Sequence, residues 1–285
     1  MTERLADITA HIDSVRQLGA VVNALRGIAG ARAQQARSQL VAVDAYTQTI
    51  SAAIGRALPL IANPGGAGGR RSARRALVLF CAEQGFAGDF SEHVLDAAGG
   101  DLTGAEVFLI GVRGAAAASE RGVPVAWTTG APAHSAGIPK LADRIAEALY
   151  SRIATGDIDR LDAIFSRWRL GESVAIERQC LIPLDVSAFA SPSTGGPPLV
   201  NLAPGALLDA LTADYVHAQL CKAALHTFAA ENQARMEAMA AAHNQIDHRL
   251  AALSATLRRV RQENITAEII ELAAGETASR QGAHS

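Results

Sequence analysis

The sequence predicts an α/β protein in which long N- and C-terminal helices form a coiled coil and a smaller α/β domain is inserted between them. Three observations carry this expectation. Residues 3 to about 58 and 236–275 each hold apolar residues at alternating three- and four-residue steps, with no proline inside either stretch. That is the repeat by which two helices wind left-handedly around each other. Between them, short apolar runs alternate with amphipathic stretches, the pattern of a mostly parallel sheet with crossover helices. Aromatic residues make up only 4% of the chain while the AVILMFWYC set reaches 49%, so the apolar content is mostly Ala, Leu, Val and Ile and favours close-packed helices.

In chain order, Leu5, Ile8, Ile12, Val15, Val22, Leu25 and Ala29 follow the repeat, with Gly19 at its one missing position. Leu40, Val43, Ile50 and Ile54 prolong the stripe less regularly. A periodic stretch this long exceeds an ordinary globular helix. Gly19, Gly27 and Gly30 each cost about 1 kcal/mol against Ala in a helix interior, a cost that close approach of a neighbouring backbone explains. NPGGAGGRR (63–71) reads as a linker or loop tip. RRALVLFCA, AEVFLIGV (105–112), VPVAW, IDRLDAIFSRW and SVAIERQCLIPL then read as strands. SEHVLDAAG, AAAASERG and PKLADRIAEALYSRIATG read as helices, the last with Ile145 and Leu149 four apart. ASPSTGGPP (190–198) is a second loop. From Pro204 the chain returns to helix and runs into the seam Ile246, Leu250, Leu253, Leu257 and Val260. The expected parts are an N-terminal helix over 1–60, a central α/β domain over 70–190 and a C-terminal helix over 204–275.

Several function classes are disfavoured. A formal net charge of −2 argues against a dedicated nucleic-acid binder, which needs a basic excess; GGRRSARR is only a local basic patch. Cys81, Cys180 and Cys221 lack C-x-x-C spacing, so reduced cysteines are expected, with Cys81 and Cys180 as small core hydrophobes. His243 and His248 are five apart and no Glu completes H-E-x-x-H, so no metal is expected. His93, His134, His217 and His226 are read as surface or packing residues, and Met236 and Met239 as packing. No apolar run approaches the ~18–20 residues that cross a bilayer, and MTERLADITAHIDSV lacks the apolar core of a secretory signal. GFAGDF after the first strand could cradle a phosphate, but it is not G-x-G-x-x-G; a structural turn is the preferred reading.

Four stretches carry a resemblance. I-D-S-V at 12–15 with Asn23-Ala24-Leu25 and Ile28-Ala29, GFAGDFS at 85–91, TGDIDRLDAIFSRW with CLIPL, and above all ENQARMEAMAAA followed by RQENITAEIIEL are similar to the gamma subunit family of F-type ATP synthases. The last pair matches the family pattern nearly residue for residue, on both sides of the heptad seam. The resemblance implies an antiparallel coiled coil with an inserted Rossmann-like α/β domain, acting as a central rotor shaft with no active site and no cofactor. Its implied partners are the alpha and beta subunits of the nucleotide-binding hexamer, the epsilon subunit and the membrane c-ring, with no nucleic acid. Its implied place is peripheral, on the cytoplasmic side of a bacterial-type membrane, coupling proton or sodium flow to ATP synthesis or hydrolysis. Carried over by motif, Arg261 and Gln262 resemble the contacts to a catch loop on a catalytic subunit. Thr266 and Glu268 belong to the same motif, and Ile265 and Ile269 would lie in an apolar bearing. Val200 and Asn201 stand where the family shows Tyr-Glu facing the rotor ring.

The sequence also departs from the family. Ala20 and Asn23 replace lysines, Leu25 replaces a methionine, Ala87 replaces a cysteine and Asp89 a glycine, as in a divergent branch. Two other classes remain beside the shaft: a nucleotide-binding α/β enzyme with helical extensions, and a plain coiled-coil scaffold. The first lacks a P-loop, a nucleophile elbow or a paired acid and base in residues 70–190. The second has no need of RQENIT.

Overall fold

The computed structural model describes residues 2–61, 75–156, 158–168, 174–189 and 199–282. The expected loops at 63–71 and 190–198, and most of the arginine cluster before the first strand, lie outside the described residues. The elements are α1 (Thr2–Ala57), β1 (Arg75–Phe80), α2 (Phe90–Ala98), β2 (Ala105–Ile110), α3 (Val112–Glu120), β3 (Trp127–Thr129), α4 (Ile138–Ala154), β4 (Arg160–Arg167), β5 (Ala175–Ile182) and α5 (Pro204–Gly282). The chain divides into two compact units, one of residues 1–28 with 236–285 and the other of residues 29–235.

The first unit is an antiparallel helix pair. Val22, Met239 and Ile246 are buried together, with Val15, Ala242 and Leu250 packed around them. Gly19 is part of this seam: a Cβ there would sit 3.3 Å from Ile246 Cγ2, so the glycine admits the facing isoleucine. Gly27 has no neighbour within 4 Å of a Cβ position, so close approach does not explain it. The seam also departs from the expectation at Leu25, which is 37% exposed. The heptad runs from Val22 to Arg26 and on, placing the long arginine stem in the stripe and the leucine outside it.

The second unit is three-layered. Its sheet has the order β3-β2-β1-β4-β5; β1, β2, β3 and β4 run parallel and β5 pairs antiparallel with β4. One face (Val78, Phe80, Phe108, Phe165) is covered by α4, through Leu141, Ile145 and Leu149, and by the middle of α5, through Leu220, Ala224 and Phe228. The opposite face (Leu77, Leu79, Leu109, Ile164) is covered by α2 and α3. Burial on both faces is why β1 is an apolar run after Arg75 and why β4 is apolar at Leu161 and over 163–165, with Asp162 and Ser166 as its buried polar residues. Residues 223–232 of α5 are buried without a break, as expected of a helix enclosed on all sides. Within this unit, α1 keeps the heptad through Ala29, Ala33, Ala36, Leu40, Thr47, Ile50, Ile54 and Ala57, all buried. The stripe looks irregular in sequence only because alanine and threonine fill it. Thr47 satisfies its hydroxyl on the Val43 carbonyl at 2.8 Å.

Two further expectations change. The third strand lies at Trp127–Thr129 instead of VPVAW; Pro124 has no N–H to give a ladder, and bonding to β2 begins only with the Ala126 N–H, which donates to the Val107 carbonyl at 2.9 Å. Cys180 is exposed, not a core residue. It sits on β5, an edge strand whose side chains alternate between the sheet face and solvent.

Candidate functional site

In the helix-pair unit, the seam of α5 is carried past Ile246 by Leu250, Leu253, Leu257 and the fully buried Val260. Three- and four-residue steps then pass to Asn264 and Ala267, which are half-buried. The residues singled out in RQENIT lie between these positions and point outward. Arg261, Gln262, Thr266 and Glu268 are exposed, and Ile265 and Ile269 are 51% and 60% exposed. Arg261, Ile265 and Ile269 follow one another at steps of four, one stripe of the helix surface. Thr266 donates its hydroxyl to the Gln262 backbone carbonyl at 2.9 Å, and Gln262 is exposed. Ile270 and Leu272 extend the exposed apolar surface. Together they form an exposed apolar patch on a helix otherwise rich in polar residues.

In the second unit, the carboxyl edge of the sheet is where an open α/β fold binds ligands. Here the protein's own carboxylate occupies it. Glu83, just after β1, accepts the Val112 N–H at 3.1 Å and the Ala131 N–H at 2.7 Å through Oε2. It thereby joins the segments that follow β1, β2 and β3. The next amides of α3 are also committed: Arg113 and Gly114 donate to the Ala82 carbonyl at 3.1 Å, and Ala115 to Gly111. Gly111 (φ 107°) permits this turn, since a Cβ would meet the Ala82 oxygen at 2.6 Å. The start of α3 thus has no amide left to receive a phosphate, and GFAGDF itself forms the bends and turn that lead from β1 into α2.

That turn is clamped from α5 by ENQAR. Glu231 accepts the Gln84 N–H at 3.0 Å and pairs with Arg235 at 2.5 Å. Arg235 also donates to the carbonyls of Gly85 at 3.0 Å and Gln84 at 3.4 Å, and to Asn232 Oδ1 at 3.0 Å. Asn232 returns its amide to the Phe228 carbonyl. The loop tip, Phe86 at φ 62°, is left 70% exposed. The sequence showed these residues as a motif; their partners, about 150 positions away, were not legible.

Other chemistry-bearing groups are structural. Burial, and secondly the Glu231 charge, push the Cys81 thiol up to about 12; burial, then Asp143, does the same for Cys221. Neither is a nucleophile at neutral pH. His226 is buried against Phe165, and burial, then the charges of Arg167 and Lys222, hold it down at about 4. His217 meets Asp143 at 3.0 Å. Asp162, buried on β4, is opposed by desolvation, yet hydrogen bonds from Arg178 and Arg160 hold its carboxyl below the usual range. No cluster of metal-ligating side chains exists among the described residues. Val200 and Asn201 lie in this unit, at the mouth of an apolar cleft beside the start of α5.

A family model described as ATP synthase matches residues 4–278. The chain belongs to the ATP synthase gamma family. It is 27% identical to the ATP synthase gamma chain of Parafrankia sp., over 99% of this chain and all of that one. It is 26% identical to that of Frankia casuarinae, with the same coverage. The fold is similar to the rotor of the Euglena gracilis mitochondrial ATP synthase, with a TM-score of 0.64 at 14% identity over 93% of this chain and 100% of that one. No helix among the described residues is long and apolar enough to cross a membrane.

Proposed function

We propose that this gamma-family chain is the non-catalytic central rotor shaft of an F-type ATP synthase, turning inside a hexamer of alpha and beta subunits. Its parts are the N-terminal helix over 1–60, the α/β domain over 70–190 and the C-terminal helix over 204–275. The observation that carries the reading is the division of labour on α5. Its seam is buried against α1 through Ile246, while Arg261, Ile265 and Ile269 stand exposed on a separate stripe. A helix whose inner face is already satisfied has its outer face free for a second partner. Arg261 and Gln262 would hydrogen-bond a catch loop of a catalytic subunit, Thr266 and Glu268 would flank it, and Ile265 and Ile269 would slide in an apolar collar. Val200 and Asn201 would face the membrane c-ring, with the epsilon subunit as a further partner. The chain would lie on the cytoplasmic side of a bacterial-type membrane and transmit proton- or sodium-driven rotation. The self-occupied sheet edge supports this over a nucleotide-binding enzyme.

The test has two arms. The full chain should copurify with an ATPase hexamer and show no ATP binding alone; specific ATP affinity of the isolated chain would overturn the reading. Arg261→Ala with Gln262→Ala should lower ATP-driven rotation or proton pumping roughly tenfold or more, as loss of one charged and one neutral hydrogen bond, with the circular dichroism unchanged. Full coupling in that double variant would remove the catch role.

A further inference from the structure

Beside Val200 and Asn201 the second unit forms a cleft of about 440 Å³, within the range of built small-molecule pockets. Ala53 of α1 and Leu207 and Leu211 of α5 wall it, and the exposed Leu199 and Leu202 stand at its rim. The wall is backed by a packed core: Leu211 adjoins Ile50, Ile54, Phe189 and Ala218, and Phe189 meets Tyr215 edge-on at 5.2 Å. The cleft therefore does not depend on an occupant for its shape. Its charge is of one sign. Arg56 is the one charged residue lining it, and among the described residues the guanidinium has only its own helix's Ala52 carbonyl, at 3.4 Å, as a partner. The first turn of α5 has no acid, and the exposed Asp209, two residues from both Leu207 and Leu211, lies on the other side of the helix. Apolar walls beside an under-used guanidinium suit a ligand with one negative head and a hydrocarbon body. At ~30 Å³ per water-sized group the cleft holds on the order of fifteen non-hydrogen atoms, which is one chain of moderate length and not the two chains of a phospholipid. Asn201 is the only neutral polar side chain in the lining. An inserted peptide would bring backbone N–H and C=O groups that need partners there, whereas a hydrocarbon chain brings none. The stretches that adjoin these segments in sequence, 62–74 and 190–198, contain no acid and no Leu, Ile, Val, Met, Phe, Tyr or Trp, so they supply neither part.

We propose that this cleft binds a single-chain fatty-acid carboxylate of about ten to fourteen carbons, its chain lying along Ala53, Leu207 and Leu211 and its head accepting hydrogen bonds from Arg56. Leu199 and Leu202 shield the chain from water. The site uses no residue of the catch motif and does not rest on the rotor reading.

The experiment titrates dodecanoate into the full-length chain by calorimetry, below the concentration at which the probe forms micelles. One molecule should bind per chain with a Kd on the order of 10 μM, as expected for a well-placed ligand of about fourteen atoms. From octanoate to dodecanoate, each methylene should tighten binding about threefold. Beyond tetradecanoate there should be no further gain, because the cleft is full. Replacing the probe by dodecanol, or the protein by Arg56→Gln, should weaken binding about tenfold, as loss of a charge-assisted hydrogen bond does. Arg56 is exposed, so that variant keeps its fold. Ala53→Trp, which fills the cleft, should abolish binding with the circular dichroism unchanged. Equal affinity for dodecanoate, dodecanol and dodecyltrimethylammonium, or wild-type affinity in Arg56→Gln, would overturn the proposal. So would binding of several molecules per chain that a folded Ala53→Trp leaves unaltered. A benzoylphenylalanine in place of Leu202 that crosslinks to a partner subunit in the assembled complex would also overturn it, because the occupant would then be protein.

Discussion

Replacing Glu231 by methionine tests whether the ENQAR clamp holds the loop after β1. Glu231 and Arg235 are 4% and 7% exposed, so neither charge is screened by water. The substitution removes the 2.5 Å ion pair and the acceptor of the Gln84 N–H. It leaves Arg235 buried with three neutral acceptors, the carbonyls of Gln84 and Gly85 and the Asn232 amide oxygen. Removing one partner of a buried pair typically costs about 3–5 kcal/mol, because the stranded charge stays in low dielectric. For a unit of this size that corresponds to a Tm lower by about 6–20 °C. Urea denaturation of Glu231→Met, Arg235→Met and the double variant gives a thermodynamic cycle. The expected coupling energy is about 2 kcal/mol or more, with the double variant less destabilised than the sum of the singles. Single variants within about 1 kcal/mol of wild type, or strict additivity, would refute the reasoning and make the clamp a surface contact.

Two further outcomes follow from the same unit. His226 is held at about 4 in the fold against ~6.5 when unfolded, so between these values the unfolded chain takes up a proton that the folded chain refuses. Stability is fully present above about pH 6.5 and falls by about 3 kcal/mol as pH drops to 4; urea midpoints at pH 7 and 4.5 should lose that component in His226→Gln, and an identical pH dependence would contradict it. Glu83→Ala strands the Val112 and Ala131 amides and should cost about 1–3 kcal/mol. Glu83→Gln keeps an acceptor but removes charge from the start of α3, costing about 0.3–1 kcal/mol; equal losses in the two variants would show that the charge matters and the accepted hydrogen bonds do not.

How far the sequence reaches depends on the range of the interaction that decides each position. Heptad seams are local, and α1 and α5 were legible along with most of the strands and helices between them. Leu25 misleads because apolarity alone does not mark a seam position; the repeat places Arg26 there. Cys180 misled because an apolar run reads the same on an edge strand as on a central one; only the sheet order distinguishes them. The outward residues of RQENIT were recognisable as a motif, and their exposure follows from the seam on either side. Glu83, Glu231 and Arg235 were harder. Their roles depend on pairings between segments far apart in the chain, which no single stretch encodes. Val200 and Asn201 could be placed beside the start of α5, but the cleft next to them also needs the end of α1, about 145 positions earlier, to exist.

The carboxylate of Glu83 has a consequence for thermodynamic linkage. A folded protein that binds a metabolite gains stability with the logarithm of that metabolite's concentration. A domain with open amides at its sheet edge would therefore stiffen and soften as cellular phosphate and nucleotide pools rise and fall. Here the amides at the start of α3 and at Ala131 are taken by groups covalently part of the chain, at an effective concentration that never varies. The junction of β1, β2 and β3 is thus insulated at those amides from the very compounds its complex makes and consumes, and its stability there carries no record of the cell's energy state.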